Sequence, residues 1–285
     1  MRWGTIRLED GTPSAALCQD GKVVSVVGLN AISHRSFPTE LEAIITADVA
    51  GAIISEAVKS DAFLRIGIEE NAVHVLAPLT KPERIVGIGL NYGAHAHDLD
   101  EKVPEEPATF LKPQASIIGP GDVIRIPRVS KRTTAEAEVA LVFSRSCKDV
   151  SSDRWQQVVF GMVPVLDMTT EDILRRNPRF LTRSKGYDSF FSFGPWIATL
   201  DEFTRLDTIR VQTVVNGEIR AENQVSGMTY GLAELVEFIT TGSTIGASAI
   251  LSTGTPGAAP IAAGDVVEAR VEGFPALLNP VEDAL

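Results

Sequence analysis

Residues 135–143 read Ala-Glu-Ala-Glu-Val-Ala-Leu-Val-Phe, and this run restricts the fold more than any other stretch of the chain. Apolar residues occupy both parities, so as a strand the run must be covered on both faces. Ala137, Val139, Leu141 and Phe143 make one wholly apolar face. Glu136 and Glu138 open the other face, which Ala140 and Val142 continue. Side chains two apart on a strand lie ~6.5–7 Å apart on the same face. A second apolar run, Gly161-Met162-Val163-Pro164-Val165-Leu166-Asp167, ends on another carboxylate. Neighbouring carboxylates at the mouth of a buried strand repel each other and lose hydration, so something must neutralise them. A divalent cation with oxygen ligands is the natural candidate. Strand ends also turn out into solvent, and from the two glutamates alone both readings stand.

A chain of 285 residues suits one large domain, or one with a small appendage. A net charge of -11 argues against a nucleic-acid binder, which needs a basic footprint for phosphates. It leaves an anionic small-molecule substrate open, because local cations decide that. No basic segment followed by an apolar one opens the sequence, so no secretory signal is expected. No apolar run reaches the ~18–20 residues of a membrane span. The two cysteines, Cys18 and Cys147, form no C-x-x-C pair, which fits a reducing cytoplasm and excludes a thiolate zinc cluster.

Residues 1–75 read as a small leading module, with residues 76–285 as the main domain. Asp10-Gly11 and Asp20-Gly21 supply turn signals between short strands. Thr39 to Lys59 is helical in character, weakened by Gly51. Beyond Leu79, runs at Arg84–Leu90, Val123–Pro127, Glu136–Phe143 and Gly161–Thr169 read as strands. Asn216-Gly217 predicts a type I′ hairpin turn. Leu232, Leu235, Val236 and Ile239 mark an amphipathic helix that Gly242 stops. A further helix is expected over Ser152–Phe160, and strands over Ala249–Ser252 and Val266–Val271. The lack of regular βαβ alternation argues against a doubly wound fold.

Several segments carry groups capable of chemistry. Gly87-Ile88-Gly89 ends a strand but lacks dinucleotide-loop spacing; it presents Asn91, Tyr92 and His95. His95 and Asp98 lie three apart, within hydrogen-bonding reach on one helical turn, and such a pair can activate water. A solvated polar loop explains the same residues. Lys185 precedes the apolar run Phe190–Trp196 and can stabilise an oxyanion or bind a carboxylate; a surface lysine is the plainer alternative. Thr253-Gly254-Thr255-Pro256 allows close backbone approach, and Thr255 can donate or accept a hydrogen bond.

Taken in order, these pieces resemble the fumarylacetoacetate hydrolase superfamily from about Pro82 to the C-terminus. Gly89-Leu90-Asn91-Tyr92-Gly93-Ala94-His95-Ala96 resembles its G-x-N-Y-x-x-H-A segment. Glu106 to Pro113 resembles E-P-x-x-F-x-K-P, and Glu136-Ala137-Glu138 its E-x-E pair. Asp167 stands where the third metal carboxylate does; Lys185-Gly186-Tyr187-Asp188 and Ser252 to Pro256 match the K-x-F-D and T-G-T-P segments. The resemblance implies an α+β protein with a mixed β-roll or β-sandwich C-terminal fold and a small N-terminal α+β module. It further implies a homodimer and Mg²⁺ or Mn²⁺ on Glu136, Glu138 and Asp167, with Ca²⁺ able to replace them in crystals. It places His95, Asp98 and Lys185 in catalysis, and Tyr92, Arg183, Tyr187 and Thr255 at the substrate.

The implied activity is hydrolysis of a carbon–carbon bond in a 2,4-dioxo acid or related β-diketone. The alternatives are an isomerase, tautomerase or decarboxylase of a 2-oxo or hydroxymuconate-type acid, or a binding protein that keeps the fold without turnover. The segment from about Tyr92 to Pro107 is expected to act as a lid. Departures from the family pattern are Asp98 for the usual Glu, Glu171 for the usual Arg, and Leu174 where decarboxylating members tend to carry Gln.

Overall fold

The run that is apolar at both parities becomes the 11-residue strand Thr133–Phe143, buried along its whole length. The second apolar run becomes its antiparallel partner, Val159–Thr170. These strands come from a computed structural model that describes residues 1–93 and 104–284. Among the described residues two mixed sheets appear, one of 14 strands and one of five. The central pair lies inside the larger sheet, so both of its faces need cover.

Each face has its own core. Ala135, Ala137, Val139, Leu141 and Phe143 pack with Val211, Val267, Ala269 and Val271 of the five-stranded sheet, and with Leu235 and Val236 of the helix Leu232–Thr240. On the reverse face Ala140, Val142, Val163 and Val165 pack with Trp3, Leu17, Val24, Leu29, Ile44 and Ile53. The second core is therefore built largely by the first 60 residues. Strand Arg2–Arg7 pairs with Ile197–Ala198, which joins the N-terminal strands to the larger sheet. A division of the chain near residue 75 remains our proposal, with that sheet running across it.

Expected turns and strands appear where the side chains require them. Asn216 and Gly217 both take positive φ, 53° and 81°, the backbone a type I′ turn needs. Gly242, at φ 69°, follows the helix Leu232–Thr240. Two expectations need correction. Thr39–Lys59 is helical as expected, in two pieces, Leu41–Thr46 and Ala50–Lys59, but the weak point is not at Gly51. The break falls at Asp48, which adopts a left-handed φ of 54°, while Gly51 sits inside the second helix. Ser152–Val158 is a 3₁₀ helix, not an α-helix, and Val159 already belongs to the strand. Only Val158 of that segment is buried, so it has no apolar stripe to dock a longer helix.

No helix among the described residues is long and apolar enough to cross a membrane.

Packing this close makes the central pair sensitive to lost volume. Leu141, fully buried, should cost about 2–5 kcal/mol when changed to Ala. Leu64→Ala, at a site 89% exposed, should change stability by less than about 0.5 kcal/mol. Urea unfolding of both variants checks the contrast, and equal midpoints would contradict the two-core reading.

Candidate metal centre

Strand register brings the carboxylates together. Glu136 lies directly opposite Asp167, and Glu138 opposite Val165. Glu136, Glu138 and Asp167 each place a carboxylate oxygen within 4.8 Å of the others, and all three residues are buried. The reading in which the glutamates turn into solvent is thereby removed.

Two ammonium groups meet this acid cluster. Lys185, at the end of the helix Leu181–Lys185, donates to Glu136 Oε2 at 2.9 Å, Asp167 Oδ2 at 2.6 Å and Thr169 Oγ1 at 2.7 Å. Thr169 passes the contact on by donating to Glu136 Oε1 at 2.8 Å. Burial alone would lower the Lys185 pKa, but the charges of Asp167, Glu136 and Glu138 outweigh it and hold the ammonium protonated. Lys185 also sits 4.8 Å from the centroid of the Phe110 ring. Lys112 closes the other side, with Nζ 2.5 Å from Asp167 Oδ1. Its pKa is lowered to about 8, because burial and the nearby Lys185 together exceed the pull of Asp167.

Glu138 is held differently. Ser252 Oγ and the Gly254 amide both donate to its Oε2, at 2.5 and 2.9 Å. Gly254 reaches it from a φ of +96°, and a Cβ there would come 2.8 Å from the Cβ of Asn91. The Asn91 side chain accepts from the Tyr230 amide and donates to the carbonyls of Tyr230 and Thr253, so it ties this turn to the Gly89–Tyr92 turn. Burial, with the Asp167 charge beside it, pushes the Glu138 carboxyl up to about 8.

An oxygen-ligated divalent cation fits these residues. Glu138 Oε1 is buried and accepts no hydrogen bond. Asp167 Oδ1 accepts none either: Lys112 Nζ lies beside it as an ion pair, off the direction a hydrogen bond requires. A buried carboxyl oxygen such as Glu138 Oε1 is costly in this state unless a proton or a cation completes it. The donors are all carboxylate oxygens, the set that hard cations such as Mg²⁺ and Mn²⁺ prefer.

The remaining expected site residues are placed unevenly. Tyr92 is buried, with a hydroxyl that has no hydrogen-bond partner among the described residues, and its pKa is raised by burial and then by the Glu138 charge. Thr255 is buried and exchanges hydrogen bonds with Gly257. Arg183 is exposed, its guanidinium 5.5 Å from the Phe180 ring centroid. Tyr187 packs edge-on against Phe190. Arg183 and Tyr187 line an open cleft of about 780 Å³, together with Leu111, Val129 and Lys112. Lys112 borders this cleft and, at its buried Nζ end, meets Asp167; none of the three carboxylates lines the cleft. His95 and Asp98, with most of the expected lid, lie outside the described residues.

Lys112, Thr169 and Ser252 were not singled out from sequence. Lys112 carried a legible signal, since Phe110 and Lys112 are the buried positions of the strand Ala108–Lys112 while Thr109 and Leu111 are exposed. A lysine on the inward parity of an alternating strand needs a buried partner.

The sequence profile of the fumarylacetoacetate (FAA) hydrolase C-terminal domain matches residues 84–282. The chain belongs to this family. An uncharacterised protein of Methanocaldococcus jannaschii is 38% identical over 205 residues, covering 71% of this chain and 84% of that one. The mitochondrial oxaloacetate tautomerase of Xenopus laevis is 29% identical over 223 residues, covering 75% and 70%. Among solved structures, a 5-carboxymethyl-2-hydroxymuconate delta-isomerase of Mycobacterium smegmatis is similar over 100% of both chains, with a TM-score of 0.78 and 28% identity. A maleylpyruvate hydrolase of Sphingobium sp. SYK-6, solved with manganese(II) and pyruvate, shares the fold with a TM-score of 0.80 at 24% identity over 100% of both chains.

The elevated Glu138 pKa has two consequences of opposite use. In the metal-free protein the folded state keeps a proton that the unfolded chain releases near the ordinary value of 4.5. Glu138 therefore makes stability fall as pH rises from 4.5 to about 8. Cation binding must displace that proton, so apparent affinity weakens as pH drops below about 8. Calorimetric titration with Mn²⁺ in buffers of different ionisation heat should show proton release below this value. Binding without proton release across that range would contradict the assignment.

Proposed function

We propose that this chain is a metal-dependent enzyme acting on a small 2-oxo acid able to enolise, with hydrolysis of a carbon–carbon bond in an acylpyruvate-like 2,4-dioxo acid as its reaction. The observation that carries the reading is the buried convergence of Glu136, Glu138 and Asp167, two of which share the Lys185 ammonium. Glu136, Glu138 and Asp167 would hold Mg²⁺ or Mn²⁺, which when bound supplies Lewis-acid polarisation of a carbonyl. Lys185 keeps a fixed positive charge at the edge of the cluster; its three N–H groups go to Glu136, Asp167 and Thr169, so donating to a substrate oxygen would require one of these bonds to be exchanged. The Arg183, Tyr187 and Leu111 cleft offers space for the rest of the substrate, and Tyr92 and Thr255 are kept as substrate contacts. His95, oriented by Asp98, is the proposed activator of water.

A second reading, isomerase or tautomerase, has support of its own. It needs the same enolate and no water, and the relatives at 28–29% identity carry those activities. A homodimer, which sedimentation velocity checks, belongs to the same proposal.

Turnover with acylpyruvates, oxaloacetate and hydroxymuconate-type acids in Mg²⁺ or Mn²⁺, followed by enol absorbance, tests the class. Lys185→Met should lower kcat by about 100–1,000-fold, the usual cost of losing an oxyanion-stabilising donor. Unchanged turnover would remove Lys185 from the mechanism. His95→Ala should abolish hydrolysis and leave Mn²⁺ affinity intact. Surviving hydrolysis would remove His95 as the activator of water.

A further inference from the structure

Lys112 is enclosed, with 1% of its side chain exposed against 5% for Lys185. It reaches the site from the strand Ala108–Lys112, on a different strand from every carboxylate. Its Nζ donates to the backbone carbonyls of Met168 at 3.3 Å, Lys185 at 2.7 Å and Phe190 at 2.5 Å. An ammonium has three N–H groups, so these three acceptors use all of them. Asp167 Oδ1, at 2.5 Å, is a fourth oxygen around the same ammonium and is held to it by charge.

We infer that Lys112 is a positioning residue of the centre: its ammonium clamps the backbone on both sides of the site and holds the Asp167 carboxylate against that clamp by charge. The three carbonyls belong to the residue after Asp167, to Lys185 itself, and to Phe190 next to the strand that pairs with Asp167. One side chain therefore sets where the Asp167 carboxylate and the Lys185 ammonium stand relative to each other. The Phe190 carbonyl also accepts the Met168 amide at 3.1 Å, which closes the clamp onto the Val159–Thr170 strand. A plain counter-ion would need none of these three carbonyls. The inference rests on the metal-centre reading for its consequence but not for its geometry.

The two roles predict opposite signs. If Lys112 acts only as a charge beside Asp167, removing it relieves repulsion and Mn²⁺ binds more tightly. If it clamps, Lys112→Met should weaken Mn²⁺ affinity by about 10–100-fold, the usual effect of losing a residue that orients a metal ligand. Calorimetry reads the affinity. Amide hydrogen exchange on the metal-free protein supplies a second readout, with faster exchange expected at Met168 and Phe190 and none at the remote helix Leu232–Thr240. Lys112→Gln, neutral but still a donor, should shift both readouts in the same direction by less, and it decides the matter if the Met variant does not fold. Equal or tighter Mn²⁺ binding in a folded variant overturns the clamp, as does unchanged exchange at Met168 and Phe190. Should the parent bind no Mn²⁺, the metal reading fails while the exchange experiment still decides on Lys112.

Discussion

Everything near the site follows from Glu136 and Asp167 facing each other across one antiparallel ladder, inside a sheet covered on both sides. Two carboxylates at that distance, with a third one strand position pair away, cannot stay ionised in a dry interior unaided. Neutralising charge must come from outside the ladder, because the ladder itself carries no cationic side chain. Lys185 and Lys112 arrive from two separate elements to supply it. Much of the surrounding chain path can be read as the means of delivering those two side chains to one point.

The division of labour among the carboxylates is uneven, and that is informative. Glu136 and Asp167 share the Lys185 ammonium, so their charge is met by charge. Glu138 receives only a hydroxyl and a backbone amide on one oxygen, which leaves its other oxygen bare and its proton hard to remove. A cation that satisfied Glu138 Oε1 would replace that proton. The backbone serves this arrangement directly. Gly254 adopts positive φ against Asn91, and only a residue without Cβ can bring its amide there.

Two cores of different origin hold the ladder. One uses the five-stranded sheet and the helix Leu232–Thr240; the other uses the N-terminal strands and helices. The carboxylates lie on the face served by the second core, toward the end of the strands where its apolar residues give way to Thr134 and Thr169. The polar end of an otherwise apolar face is where the site can be both rigid and reachable.

Local pattern was enough to read the two central strands, the Asn216-Gly217 turn, the Leu232–Thr240 helix and the ligand types, because alternation and turn chemistry act over a few residues. The same pattern placed Glu136 and Glu138 on one face, since a strand repeats every two residues. Whether that face was wet or buried could not be decided locally, and it depended on the N-terminal segment packing against it. The break at Asp48 and the 3₁₀ form of Ser152–Val158 were also tertiary outcomes, set by what each segment could bury. The parity of Lys112 hinted that it is buried, but its role was not legible, since it sits 55 positions before Asp167 in the chain. Its partners are mainly carbonyl groups, which every residue possesses, so no residue type along the sequence could announce them; only the folded backbone brings those carbonyls around one ammonium.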